Sequence, residues 1–191
     1  LELNGLTSIT DEQAESLSNE EFSLELNGLT SITDKQAESL SKVDYLELNG
    51  LTSITDPQAE SLSKVGKQRV DIEMDSEDLF LLDRRLSLEG LTSITDEQAE
   101  SLSKVKGDLE LNGLASISDH QAQSLGKLEY LILNGLTSIT DEQAESLSKI
   151  ESLSLNGLTS ITDQQAKSLA KVDSLDISEA CQPLIDKYWK H

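Results

Sequence analysis

The sequence predicts an α/β solenoid, in which repeated strand–bend–helix units stack into one elongated domain. Three observations carry this. First, the phrase Leu-x-Leu-Asn-Gly-Leu-Thr-Ser-Ile-Thr-Asp-x-Gln-Ala-x-Ser-Leu-x-Lys-Val recurs seven times with small variations. The copies open at Leu1, Leu24, Leu46, Leu86, Leu109, Leu131 and Leu153, mostly 22 or 23 residues apart, a period characteristic of stacked repeats. Second, apolar residues hold fixed places in each unit, as at Leu46, Leu48, Leu51, Ile54, Ala59, Leu62 and Val65. One unit cannot bury that set alone, but a stack can. Third, each unit changes from a two-residue alternation to a helix-start signal at the same point. These regularities outweigh a composition that leans toward disorder, with 36% hydrophobic residues, 3% aromatic residues and a net charge of −21.

Each element follows from the phrase in order. Leu-Glu-Leu-Asn alternates apolar and polar residues as a half-buried strand does. Gly then ends the strand at a bend that a side chain would obstruct. Leu-Thr-Ser-Ile turns two more apolar residues inward. Thr-Asp-x-Gln matches the S/T-x-x-E/Q capping box that opens a helix, and Pro57 fits its first turn. With Pro57 at the first helical position Asp56 would be the cap, and Thr55 is the alternative. Ala59 and Leu62 give the short helix an inward stripe, and Val65 closes the turn. Glu38–Lys42, Glu60–Lys64, Glu100–Lys104 and Glu145–Lys149 are spaced as i,i+4 ion pairs, so much of the charge is expected to solvate and cap helices.

The frame Val-x-x-Leu-x-Leu-x-Gly-Leu-x-x-Ile-Thr-Asp-x-x-Ala-x-x-Leu resembles the leucine-rich repeat family. It is most similar to the cysteine-containing subclass, with Leu51 and its equivalents where that subclass has cysteine. The short, near-identical units also resemble tandem arrays of bacterial leucine-rich repeat proteins. The resemblance covers nearly the whole chain and implies a right-handed solenoid, with a curved parallel sheet inside and short helices outside. It implies little about function, since the fold serves many recognition tasks.

The expected domain map is a leucine-rich repeat solenoid over residues 1–177 and a helical cap over 178–191. The step from Leu46 to Leu86 spans 40 residues and divides best at Val70, so residues 66–85 are expected to form a shortened, diverged unit with a strand at Val70-Asp71-Ile72. Leu175-Asp176-Ile177 supplies a final strand. Ser178 is then expected to cap a helix whose Leu184, Ile185, Tyr188 and Trp189 cover the end of the core. No equivalent cap precedes Leu1, so the first strand is expected to expose an edge open to end-to-end self-association. Cys181 is the single cysteine, which excludes an internal disulfide framework. The sequence contains neither a run of transmembrane length nor a signal-peptide pattern, and localisation stays unassigned. The start inside a unit, without methionine, is expected to reflect processing upstream.

Side chains between the inward leucines point away from the core and form columns. One column contains Ser23, Tyr45, Arg69, Arg85, Asp108, Tyr130, Ser152 and Ser174. The next contains Glu2, Glu25, Glu47, Asp71, Ser87, Glu110, Ile132, Ser154 and Asp176. A third contains Asn4, Asn27, Asn49, Glu73, Glu89, Asn112, Asn134, Asn156 and Ser178. Stacked carboxylates in the second column should repel mildly, and they suit a basic partner. Simple copying of one unit is the favoured explanation for them. The candidate protein-binding residues are Tyr45, Glu47, Arg69, Asp71, Glu73, Arg85, Tyr130 and Ile132, because aromatic and arginine side chains carry a disproportionate share of interface energy. Tyr45 is expected beside Arg69, and Arg85 beside Asp108. Local pairing without any partner is the competing reading of these contacts.

Catalytic and metal motifs are missing from the sequence. His120 and His191 are the only histidines, no zinc-ligand spacing occurs, and neither a nucleophile motif nor a phosphate-binding glycine loop is present. Strong negative charge disfavours nucleic acid. No enzyme activity, cofactor or metal is therefore expected. Calcium at Glu47, Asp71, Glu73 and Glu89, or water templating by the Thr-Ser-Ile-Thr row, are the weaker alternatives. The leading expectation is a non-enzymatic module that binds a protein or peptide on the concave face. The alternative is a structural spacer or surface array without a dedicated ligand site.

Overall fold

The computed structural model describes residues 1–20, 23–67 and 84–189. Among them, seven strands form one open sheet, paired in parallel and in chain order. They are β1 (Ser23–Glu25), β2 (Tyr45–Glu47), β3 (Arg85–Ser87), β4 (Asp108–Glu110), β5 (Tyr130–Ile132), β6 (Ser152–Leu155) and β7 (Ser174–Ile177). Glu2 adds an isolated parallel bridge to Glu25. Helices alternate with the strands: α1 (Asp11–Glu20), α2 (Asp34–Leu40), α3 (Asp56–Leu62), α4 (Asp96–Leu102), α5 (Asp119–Leu125), α6 (Asp141–Leu147), α7 (Asp163–Leu169) and α8 (Gln182–Asp186). The fold is a leucine-rich repeat solenoid. Its core lies between sheet and helices as one cluster running from Ala14 to Ile185.

The hydrophobic phrase sets the register. Leu24, Leu46, Leu86, Leu109, Leu131, Leu153 and Leu175 lie opposite one another along the sheet. A one-residue slip would turn this buried row to solvent. The step from Leu46 to Leu86 is one sheet step, because β2 pairs directly with β3 and Tyr45 faces Arg85. The expected strand at Val70-Asp71-Ile72 lies outside the described residues. Most of the expected 66–85 unit, with Arg69, Asp71 and Glu73, lies outside the described residues.

Each helix from α2 to α7 begins with the expected capping box. Thr55, not Asp56, caps α3, and the helix opens one residue before Pro57. The box also holds the stack together, which the sequence pattern did not reveal. Gln36, Gln58, Gln98, Gln121, Gln143 and Gln165 use Oε1 for the cap. Their Nε2 donates to the isoleucine carbonyl of the preceding unit at 2.8–2.9 Å. The cap hydroxyls donate to the first-turn aspartate of the preceding helix at 2.9–3.2 Å. Asn4, Asn27, Asn49, Asn112 and Asn134 complete the lacing, each accepting from the backbone N–H of the next unit at 2.8–3.0 Å.

This dual use makes glutamine, and not glutamate, the required residue. Gln143→Glu keeps the cap acceptor but sets a carboxylate oxygen against the Ile117 carbonyl. Such an unsatisfied buried contact costs about 1–3 kcal/mol. In chemical denaturation Gln143→Glu is expected to lose stability on that scale. Gln13→Glu should be close to neutral, since Gln13 makes only the cap bonds among the described residues.

The expected i,i+4 ion pairs do not form. The helices end at Leu40, Leu62, Leu102 and Leu147, two residues before the lysines, so glutamate and lysine no longer share a helical face. Lys171 instead reaches back to Glu145 of the preceding unit at 3.0 Å. At the C-terminal end, Ser178 donates to the Leu158 carbonyl and does not cap α8, whose cap position is Cys181. Cys181 and Ile185 are buried, while Leu184, Tyr188 and Trp189 pack half-buried against the core. Tyr188 and Lys187 both bond Asp163, which holds that carboxyl below the ordinary aspartate range. No helix among the described residues is long and apolar enough to cross a membrane.

Candidate protein-interaction face

The strand face turned away from the core carries the side chains that alternate with the buried leucines. At β2 to β4 these side chains satisfy one another. Arg85 lies 5.5 Å from the centre of the Tyr45 ring. It also lies 3.1 Å from Glu110 and 3.6 Å from Asp108. The Tyr45 hydroxyl donates to Glu47. Burial, reinforced by that bond, holds the phenol well above the usual tyrosine range. Ser87 Oγ lies 2.9 Å from Asn49 Oδ1 and 2.8 Å from Glu110 Oε2, with its one proton available to either acceptor. Arg85 is thus placed beside Asp108 as the column order predicts, and it also meets Tyr45, while the expected Tyr45–Arg69 contact falls on a residue outside the described ones.

The carboxylate column is similarly tied down. Asn4 and Asn27 donate to Glu25 and Glu47, one unit onward, and Asn156 donates to Asp176. These bonds disperse the negative charge and relieve the repulsion expected of a bare ladder. The third column is accordingly structural over most of its length, since its asparagines bond the neighbouring strand. One position before Tyr45, Asp44 is buried, and neither carboxylate oxygen has a hydrogen bond among the described residues.

At β5 and β6 the face is different. Tyr130 is 41% exposed, the most open large hydrophobic residue within strands β1 to β7. Ile132 is half-buried beside it, and the facing residues on β6 are Ser152 and Ser154. Two small side chains against two large ones leave a depression of about 490 Å³, bounded by Asp108 on one side and Asp176 on the other. Of the candidate residues, the structure joins Tyr45, Glu47 and Arg85 in one bonded network. It joins Tyr130 and Ile132 in a separate open one. Ser152, Ser154 and the two flanking aspartates were not singled out from sequence; the signal was small side chains one unit after large ones in the same columns.

No group of histidine, cysteine and carboxylate side chains among the described residues is arranged to hold a metal ion. His120, in the first turn of α5, lies 3.5 Å from Asp96 on the helical side.

No protein-family model and no curated protein matches the sequence. Among solved structures the chain is similar to an internalin (inlF) from Listeria monocytogenes str. 4b F2365. The two are 19% identical with a TM-score of 0.44, over 85% of this chain and 50% of that one. The chain thus spans about half the length of that protein.

Proposed function

We propose that the chain is a non-enzymatic recognition module, binding a protein or peptide on the sheet face with Tyr130 as its anchor. The observation that carries this reading is an exposed aromatic ring beside a serine-floored depression, on a face where most other side chains are bonded internally. Exposed tyrosine adjoining a concavity is the kind of residue that dominates interface energies. Asp108 and Asp176 flank it, so the partner is a segment pairing an apolar side chain with lysine or arginine. The units belong by pattern with the cysteine-containing leucine-rich repeats, a reading supported by the complete burial of Leu51 and Leu91 where that subclass has cysteine.

A spacer is the second reading, favoured by the lacing of Asn27, Asn49 and Glu47 into inter-unit bonds. Selection of a displayed random peptide library on the intact chain separates the two. The expected result is enrichment of basic–apolar peptides whose affinity falls by about 2 kcal/mol in Tyr130→Ala, the scale of a hot-spot residue. The melting curve should stay unchanged. Peptides that bind Tyr130→Ala as tightly, or no saturable binder at all, would leave the spacer.

A further inference from the structure

On the edge where helices return to strands, the repeated phrase places one lysine per unit: Lys42, Lys64, Lys104, Lys127, Lys149 and Lys171. The next apolar residue is normally followed by an acid, as at Asp44, Glu129, Glu151 and Asp173. Two adjacent turns depart from this rule, and both do so in the same way. Val65 is followed by Gly66-Lys67, and Val105 by Lys106-Gly107. Each turn exchanges the acid for a lysine and a glycine, so duplication of a common unit does not explain them.

The glycines have a steric reason. Gly66 has φ +76° and Gly107 φ +119°, a region that side chains disfavour. A Cβ at Gly66 would lie 2.8 Å from the Lys106 carbonyl oxygen, and one at Gly107 2.3 Å from that of Arg84. The turns are therefore pressed together, and their lysines converge. Among the described residues, Lys67, Lys104, Lys106 and Lys127 line a cavity of about 350 Å³, together with Ser103 and one carboxylate residue, Glu129. Arg84 packs beside Gly66, and its Nε and Nη2 are buried without a hydrogen bond among the described residues.

None of these four lysines forms an ion pair among the described residues, although the chain has 36 acidic residues against 15 basic ones. Lys67 is half-buried, and its amine is held below the ordinary lysine range, first by burial and then by Lys106, Lys104 and Lys64. Lys104, Lys106 and Lys127 are exposed, and gathering their charges around a half-buried Lys67 costs stability. A compact ligand with several negative charges would offset that cost, and lysine serves phosphate well as a point charge.

We infer that the Gly66-Lys67 and Lys106-Gly107 turns, with Lys104 and Lys127, form a binding site for a multivalent phosphate-type oxyanion. The site lies apart from the Tyr130 face and does not depend on the function proposed for it. The ligand is either free or carried on a phosphorylated peptide, and the same ammonium groups would recognise both.

Calorimetric titration of the whole chain with sodium pyrophosphate, at ionic strength matched by sodium chloride, tests the site. One saturable event is expected, accompanied by a rise in melting temperature, as binding to the folded state requires. Lys67→Gln combined with Lys106→Gln should weaken binding about tenfold, the scale of two exposed charge contacts. Lys149→Gln, in the same column but outside the cavity, should leave it unchanged. The double variant should melt at or above the parent, because it removes repulsion. If the double variant does not fold, Lys106→Gln alone, at an exposed position, carries the comparison. A phosphoserine peptide that binds more tightly than pyrophosphate identifies a modified protein as the source, and the reverse order a free ligand. Absence of saturable binding by both, or equal binding by the lysine variants, overturns the inference.

Discussion

Gly135→Ala is expected to destabilise the array by more than about 3 kcal/mol, beyond the usual range for overpacking, whereas Gly5→Ala should change stability by a few tenths. The two glycines occupy the same place in the repeated phrase, and neither has a positive φ. Conformational strain therefore does not distinguish them. A Cβ at Gly135 would sit 2.1 Å from the carbonyl oxygen of Asn112 and 2.7 Å from that of Leu114, while one at Gly5 meets nothing within 4 Å. Both obstacles are backbone atoms of the preceding unit, which cannot rotate aside. The new methyl group must push two units apart along the sheet. Repeat arrays couple mainly through neighbouring units, so urea unfolding of Gly135→Ala should broaden or split where the parent shows one transition. A single transition with parental midpoint would show that the units do not pack this closely.

Leu111→Ala is expected to cost roughly 2–5 kcal/mol, the range for truncating a buried leucine. Leu111 is fully buried, one residue beyond β4 in the continuous core. It belongs to one core cluster that runs through successive units, and fixed strand spacing prevents those units from collapsing into the cavity. Leu3→Ala, at the same place in the first unit, should cost less, because Leu3 is only partly buried. The difference in denaturation free energy between the two variants measures what stacking adds. A loss well below 1 kcal/mol for Leu111→Ala would remove Leu111 from the core.

Much of this architecture is legible along the chain because its signals are local. Alternating leucines placed the strands, Thr-x-x-Gln placed the helix starts, and the repeat length placed Leu24 opposite Leu46. The candidate site was legible only in part. Tyr45 and Tyr130 hold equivalent places in the phrase, yet one is bonded to Glu47 and stacked on Arg85 while the other stands open beside serines. Which of the two is free depends on residues one unit away in space, and for Tyr45 that residue is 40 positions away in sequence. The column order assumed that chain order through the long step was sheet order, whereas β2 pairs directly with β3 and sets Tyr45 in register with Arg85.

The sequence by itself determined the unit, its inward residues, its helix starts and the register of the regular 22- or 23-residue steps, because each follows from a period or a spacing within about one turn of the solenoid. Tertiary structure alone decided what the polar residues do. Glutamine Nε2 reaching the preceding isoleucine carbonyl, asparagine bonding the next strand, and lysines gathering at two glycine turns all join groups from different units. Hydrogen bonds act over about 3 Å and unscreened charges over a few more. Such contacts exist only once stacking has fixed the distance between units, and no spacing along the chain encodes them.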